Sequence, residues 1–275
     1  MQKCLICSSS MSWSFAKDFN GVGLSRVNYW RCGNCGFVIS KTHADMSAKE
    51  WEEHNRYCHG AYQATDCNAD DPRWLSRLRS QARVLDDCIR IGLLRADGNR
   101  VDYACGDGKL AELLGAHGHR LEKYDKYMRR ESAGYLADSE LRAGTFDLVI
   151  TTSVFEHLFR RADFDAVNEL AGSKGVMGVH TLVCERVPED PSWFYLQPPH
   201  CAFHTNASMS LLFRQWGYKV SIYNVDAQLW LWFREDAGVR LIVEDANARG
   251  EGHCAYHFKE GFMDFWKQRN VTRSD

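Results

Sequence analysis

The sequence has no apolar run long enough to span a bilayer, and its first residues lack the hydrophobic core of a secretory signal. It also lacks an excess of charge. Thirty-four Lys and Arg against 36 Asp and Glu leave a net charge of −2, which gives nucleic acid or a membrane surface no electrostatic hold. No internal repeat or low-complexity tract occurs. Proline is scarce, and four of the five prolines fall between residues 186 and 205. Cytoplasmic residence, with neither nucleic-acid nor membrane partners, is the expectation. Cysteine, by contrast, is abundant. Eleven cysteines in a chain without a secretory signal point to metal ligation and buried thiols, not to a disulfide framework.

Four of these cysteines form two knuckles, C-L-I-C at 4–7 and C-G-N-C at 32–35. Cys4, Cys7, Cys32 and Cys35 can supply four thiolates to one tetrahedral Zn2+, and four protein ligands leave no open position, so the metal is expected to be structural. Short strands on either side of Asn20–Gly21 complete a zinc ribbon over residues 1–42. Residues 43–71 form a linker in which Ser47–Glu50 is a capping box, predicting a helix from about Ala48 to Tyr57. His54, Cys58, His59 and Cys67 match no common zinc spacing and read as polar helix faces and scattered thiols.

The remainder is organised around Arg100–Leu114, R-V-D-Y-A-C-G-D-G-K-L-A-E-L-L, a strand, a glycine-punctuated turn and a helix. Before it, Pro72 opens a helix with an apolar stripe of Trp74, Leu78, Ala82, Leu85 and Ile89. After it come an acidic residue, Asp125, at the next strand's tip, a short third strand at Tyr135–Asp138, and the buried strand Phe146–Thr152. A helix over 163–172, a fifth strand at Gly175–Glu185 and a helix from Asn206, its cap, to Trp216 follow. Lys219–Val225 and Gln228–Arg234 read as an antiparallel pair, Val239–Glu244 as an edge strand and His257–Arg269 as a terminal helix. Leu229, Leu231 and Phe233 alternate with Trp230 and Trp232, so both faces of their strand require cover, from a second protomer in a homodimer or from the terminal helix.

V-D-Y-A-C-G-D-G resembles the first motif of class I S-adenosylmethionine (SAM)-dependent methyltransferases, and Phe146–Leu158 resembles their fourth strand and the acidic-histidine turn after it. The resemblance implies an α/β fold: a Rossmann-like seven-stranded methyltransferase sheet over 72–275, with a small N-terminal zinc-ribbon domain. It implies SAM as cofactor, held by Asp102, Cys105, Gly106 and Gly108, with Ala104 in place of the usual first glycine. Asp125 is placed to accept bonds from ribose hydroxyls. Lys126, with Tyr127 and Met128, would flank the adenine, Asp138 would meet its amino group, and Ser153 would complete the pocket; by the same resemblance Tyr57 and Tyr62, before the first long helix, would help roof the cofactor.

Arg186–Thr205 is rich in rigid aromatics and histidine, and strand order places it over the cofactor pocket. P-P-H-C-A-F-H-T resembles the proline-histidine segment of ribbon-bearing sugar methyltransferases, which implies an acceptor-binding lid using Tyr195, Phe203 and His204. Methyl transfer to oxygen or carbon generally needs a base with a pKa near neutral, and His157 and His200 are its candidates, with Glu156 to orient or replace one of them. The expected acceptor is a small polar molecule, a sugar, sugar nucleotide or glycan, methylated on oxygen or carbon. A natural-product or modified-base methyltransferase and a non-catalytic SAM-binding adaptor are the competing readings.

Overall fold

The computed structural model describes residues 2–19, 24–63, 72–127, 134–236, 238–250 and 255–264. The chain begins with a hairpin, β1 (Met11–Asp18) and β2 (Arg26–Cys32), followed by β3 (Val38–Ser40), a single helical turn α1 (Lys41–Ala44) and α2 (Ala48–Gln63). Ser47 and Glu50 exchange the two bonds of a capping box, at 3.2 and 2.7 Å, and the helix runs past the expected end at Tyr57.

The central unit follows as α3 (Pro72–Arg90), β4 (Arg100–Tyr103), α4 (Lys109–Gly115), β5 (Glu122–Tyr124), β6 (Phe146–Thr152), α5 (Arg161–Leu170) and β7 (Ala171–His180). β5, β4, β6 and β7 lie parallel in that spatial order. Such strands are covered on both faces and need continuous apolar residues, which Phe146–Thr152 supplies. The chain then passes through the short strands β8 (Val183–Cys184) and β9 (Ala202–Thr205) into α6 (Asn206–Gln215). Thr205, not Asn206, is the N-cap: its Oγ1 accepts from Ser208 N.

The large sheet is finished by β10 (Val220–Asn224), β11 (Leu229–Phe233) and, after α7 (Val239–Arg249), β12 (Tyr256–Glu260). Its order is β12-β10-β11-β7-β6-β4-β5, seven strands in all. Three local expectations change. Tyr135–Asp138 is reduced to a single bridge from Tyr135 to Lys123, because a 3-10 turn begins at Asp138. Val239–Glu244 is helical, started by Gly238 at φ 86°. His257 begins no helix but sits in β12, which pairs with β10; the expected helix beyond 264 lies outside the described residues. The seventh strand is thus β12, beside β10, and not a strand at Tyr135–Asp138 beside β5.

Two apolar layers sandwich the sheet. On one face Leu85 and Ile89 of α3, Leu93 just after it, Leu114 of α4 and Val243 of α7 pack on Ile150, Leu229 and Leu231. On the other face Phe164 and Val167 of α5 and Phe213 and Trp216 of the α6 region pack on Val149, Met177, Trp230 and Trp232. All five residues of β11 are buried, so its alternation is satisfied within one chain by α3 and α7 on one side and by α6, Phe262 and Met263 on the other. No described helix is long and apolar enough to cross a membrane.

The N-terminal hairpin does not stand apart. β1-β2-β3-β9-β8 form a second, five-stranded sheet, in which the strands flanking residues 186–201 complete the sheet that the N-terminus begins. Cys4, Ile6, Cys32, Cys35 and Phe37 share one apolar cluster with Phe155 and Phe213 of the central unit. Polar bonds reinforce the junction: Gln215 Nε2 donates to the Ile6 carbonyl at 2.8 Å, and Arg161 donates to the Leu5 carbonyl at 3.2 Å.

Candidate active site

β4 ends in a turn whose backbone is left-handed at Ala104, Gly106 and Gly108, with φ of 57°, 59° and 78°. Glycine adopts this region freely, whereas alanine does so at a cost of about 1–2 kcal/mol. Ser153, at the end of the adjacent strand β6, is also left-handed at φ 57°. Two non-glycine residues held in this way side by side mark the sheet's C-terminal edge as a place where backbone geometry matters more than local comfort. At Gly108 a Cβ would stand 2.5 Å from Lys123 Cδ, so that flexible side chain would have to shift to admit one.

Asp125 fastens the turn. Its Oδ2 accepts from Gly106 N at 2.9 Å and its Oδ1 from Tyr127 N at 2.8 Å. Tyr135 adds a bond from its hydroxyl to the Gly106 carbonyl at 2.8 Å. Beneath the turn Asp102 is 1% exposed, and its Oδ1 has no hydrogen-bond partner among the described residues. Burial, reinforced by the carboxylates of Asp125 and Asp107, pushes its pKa up to about 8. An unsatisfied buried carboxylate below a glycine turn suits a cationic ligand, which would restore its charge. SAM, with its ammonium and sulfonium groups, fits that requirement.

A cavity of about 1090 Å³ opens over this edge. Asp102, Ala104, Cys105, Gly106, Asp125, Lys126 and Ser153 line it. Gly108 and Asp138 do not; Asp138 instead accepts from the Tyr124 hydroxyl at 2.9 Å. Tyr57 and Tyr127 line the cavity, while Met128 lies outside the described residues and nothing is described of the Tyr62 side chain. The helix α2 brings Trp51, Asn55 and Cys58 to the wall. With His54 these residues recur at i, i+3, i+4 and i+7, a helical stripe that could have been read from the sequence. His54, expected on a polar helix face, is 8% exposed.

The far wall carries Glu156, His157, Tyr195 and His200. Glu156 is 1% exposed and accepts from the Tyr195 hydroxyl at 2.7 Å and the Thr181 hydroxyl at 2.9 Å. His157 Nδ1 faces the Pro199 carbonyl at 3.1 Å, and His200 Nδ1 faces the Tyr195 carbonyl at 2.8 Å. Their rings are 5.0 Å apart, nearly perpendicular. Burial lowers the pKa of His200, keeping its imidazole neutral. The segment that delivers Tyr195 and His200 is itself held by histidines: Nε2 of His43 and of His54 both face the Pro198 carbonyl, at 3.0 and 3.1 Å.

Phe203 and His204, expected to touch an acceptor, are each 1% exposed and do not line the cavity. Phe203 packs on Tyr29, Trp193 and Tyr195, and His204 among Phe37, Phe155 and Phe164. They lie in β9, whose pairing with β3 turns them into core.

Apart from the cavity, the thiols of Cys4, Cys7, Cys32 and Cys35 converge. Sulfur separations are 3.6 Å for Cys4–Cys35, 3.4 Å for Cys7–Cys32 and 3.7 Å for Cys7–Cys35. Four thiolates at about 2.3 Å from a tetrahedral zinc stand about 3.8 Å apart, so the cluster needs little adjustment to hold one. Ile6 N points at Cys4 Sγ and Cys35 N at Cys32 Sγ, at 3.4 and 3.5 Å, the backbone donors that a metal-bound thiolate uses.

Residues 75–221, more than half of the chain, match the family model described as a methyltransferase domain. No curated protein matches the sequence. Among solved structures, the chain is similar to the 1,6-didemethyltoxoflavin-N1-methyltransferase of Burkholderia thailandensis at 15% identity and a TM-score of 0.48, covering 72% of this chain and 93% of that one. It is also similar to an amino pentose methyltransferase from Micromonospora echinaspora at 15% identity and a TM-score of 0.44, covering 64% and 97%. A third, the magnesium protoporphyrin IX methyltransferase of Synechocystis PCC 6803, aligns at 15% identity and a TM-score of 0.41, covering 57% and 83%.

Proposed function

Since the chain belongs to the methyltransferase-domain family and is a SAM-dependent methyltransferase, we propose that it methylates an oxygen of a small polar acceptor, a carbohydrate unit in particular. The observation that carries this reading is the placement of Glu156, His157 and His200 in the same cavity as the glycine turn. SAM supplies an activated methyl group, so the protein's task is to position the acceptor, exclude water and manage a proton.

Asp102 and the Ala104–Gly108 turn would hold the cofactor's charged half, and Asp125 would take part of its sugar. A neutral imidazole at His157 or His200 can receive the proton of an acceptor hydroxyl, while Glu156, fixed by Tyr195 and Thr181, favours the imidazolium that results. Aromatic walls at Trp51, Tyr127 and Tyr195 with polar groups between them suit the mixed faces of a sugar. Cys4, Cys7, Cys32 and Cys35 would hold a structural Zn2+.

The test is a transfer assay over a panel of sugars and sugar nucleotides, with His157→Ala and His200→Ala beside the wild type. One of the two variants should lose about 10²–10⁴-fold in turnover. Calorimetry with S-adenosylhomocysteine should leave cofactor affinity within about threefold. Loss of cofactor binding would move that histidine into the cofactor pocket and remove the base role.

A further inference from the structure

Two imidazoles and a carboxylate meeting at one point exceed what a single proton transfer requires. One ligand atom from each of Glu156, His157 and His200 lies within 4.8 Å of the other two. We propose that these three residues bind a divalent cation, and that the cation selects acceptors carrying two adjacent oxygen donors, as in a vicinal diol. The inference rests on the acceptor reading above and deepens it: with both Nε2 atoms on the cation the histidines act as ligands in place of the base, and the acceptor hydroxyl, made more acidic by the cation, gives its proton to solvent water.

The ring geometry agrees. With metal–nitrogen bonds of about 2.1 Å, two imidazoles on one ion hold their centres about 4.6–5.3 Å apart between octahedral and tetrahedral angles. The observed separation is 5.0 Å. Ligating histidines commonly place their other ring nitrogen on a carbonyl, which fixes the tautomer and aims the ligand atom. Here the Pro199 and Tyr195 carbonyls meet both Nδ1 atoms, so a cation would take the Nε2 atoms. The carboxylate has its own orienting shell in Tyr195 and Thr181, and each of its oxygens retains a further lone pair. Three protein ligands leave coordination positions facing the cavity, and an imidazole–carboxylate set suits a transition-metal dication. The soft thiolate cluster elsewhere would not compete for Mn2+.

Mn2+ added to the purified protein, carrying no more zinc than the one ion its four thiolates would hold, is the probe. Electron paramagnetic resonance should count one tightly held Mn2+ per chain, and pulsed spectra should show coupling to imidazole nitrogen. Glu156→Gln and His157→Ala should weaken Mn2+ binding by more than about 100-fold, and Tyr195→Phe, which removes the orienting bond to Glu156 and one accepted from Leu182 N, by about 10–100-fold. Circular dichroism and S-adenosylhomocysteine calorimetry establish that each variant is folded; the nitrogen coupling needs no variant at all. Catechol, a two-oxygen probe, should perturb the bound Mn2+ spectrum where phenol does not. Absence of nitrogen coupling, or Mn2+ uptake unchanged in both ligand variants, overturns the site; equal effects of catechol and phenol overturn the selection. Methyl transfer to sugars that persists after metal removal would overturn the cation's role while leaving the acceptor reading intact. A failure of every sugar, with Mn2+ still bound, would do the reverse.

Discussion

The Thr205 hydroxyl donates to the carbonyl of Cys35 and also accepts from Ser208 N at 3.1 Å. One side chain therefore caps α6 and clasps the second cysteine knuckle. Gly36 lies against it, at φ 71°, where a Cβ would stand 3.0 Å from Thr205 Cγ2.

Thr205→Val keeps the shape and removes both bonds. It should destabilise the protein by about 1–3 kcal/mol, the sum of a lost cap and a buried carbonyl left unpaired. Thermal denaturation should show a fall in Tm of several degrees, with the affinity for S-adenosylhomocysteine unchanged.

Removing the proposed zinc should affect residues 186–201 although none of them is a ligand. β3 pairs with β9, Arg31 donates to the Val187 carbonyl at 2.7 Å, and Lys17 donates to the Leu196 carbonyl at 2.8 Å. A chelator strong enough to strip the metal should increase proteolytic cleavage within 186–201 by at least about tenfold. Retained resistance in metal-free protein would separate the two regions energetically.

Asp102 should report cofactor binding through protons. Its pKa is raised to about 8 by burial and neighbouring carboxylates, so at pH 7 it is mostly protonated, and a cationic ligand favours the charged form. Calorimetry with SAM at pH 7, in buffers of different ionisation enthalpy, should show proton release, with affinity rising toward pH 8. Asp102→Asn should abolish the release.

Acid should weaken the fold through its buried histidines. His43 and His204 are 0% and 1% exposed, and burial lowers both from the usual 6.5 to about 4. The unfolded chain then binds more protons between those values, so their contribution is fully present above pH 6.5 and is lost as pH falls toward 4. Asp102 acts in the opposite sense in the free protein, its contribution fading as pH rises through about 8. Tm measured from pH 7.5 to 5 should fall, and less steeply in His43→Gln.

The order of the central elements was legible because each signal is local: the glycine turn, the apolar run of β6 and the alternation of β11 need few neighbours to declare themselves. Asp125 was legible by its spacing from the turn, and the structure places it there, bonded to Gly106 N. What could not be read were relations between distant segments. His54 looked polar until α2 met the Pro198 carbonyl, and Phe203 and His204 looked like lid residues until β9 joined β3. Val239–Glu244 has the β-branched residues of a strand, yet Gly238 starts a helix whose Val239 and Val243 face the sheet one turn apart.

The five-stranded sheet has a consequence for synthesis. β3 emerges from the ribosome about 160 residues before β9, its pairing partner, so the earlier-made segment must wait, with one strand edge open, until those residues have been added. A metal taken up early by the two knuckles would hold that waiting hairpin closed and shield it from wrong partners. The ion would then act first as a chaperone of the nascent chain, before there is any pocket for it to support.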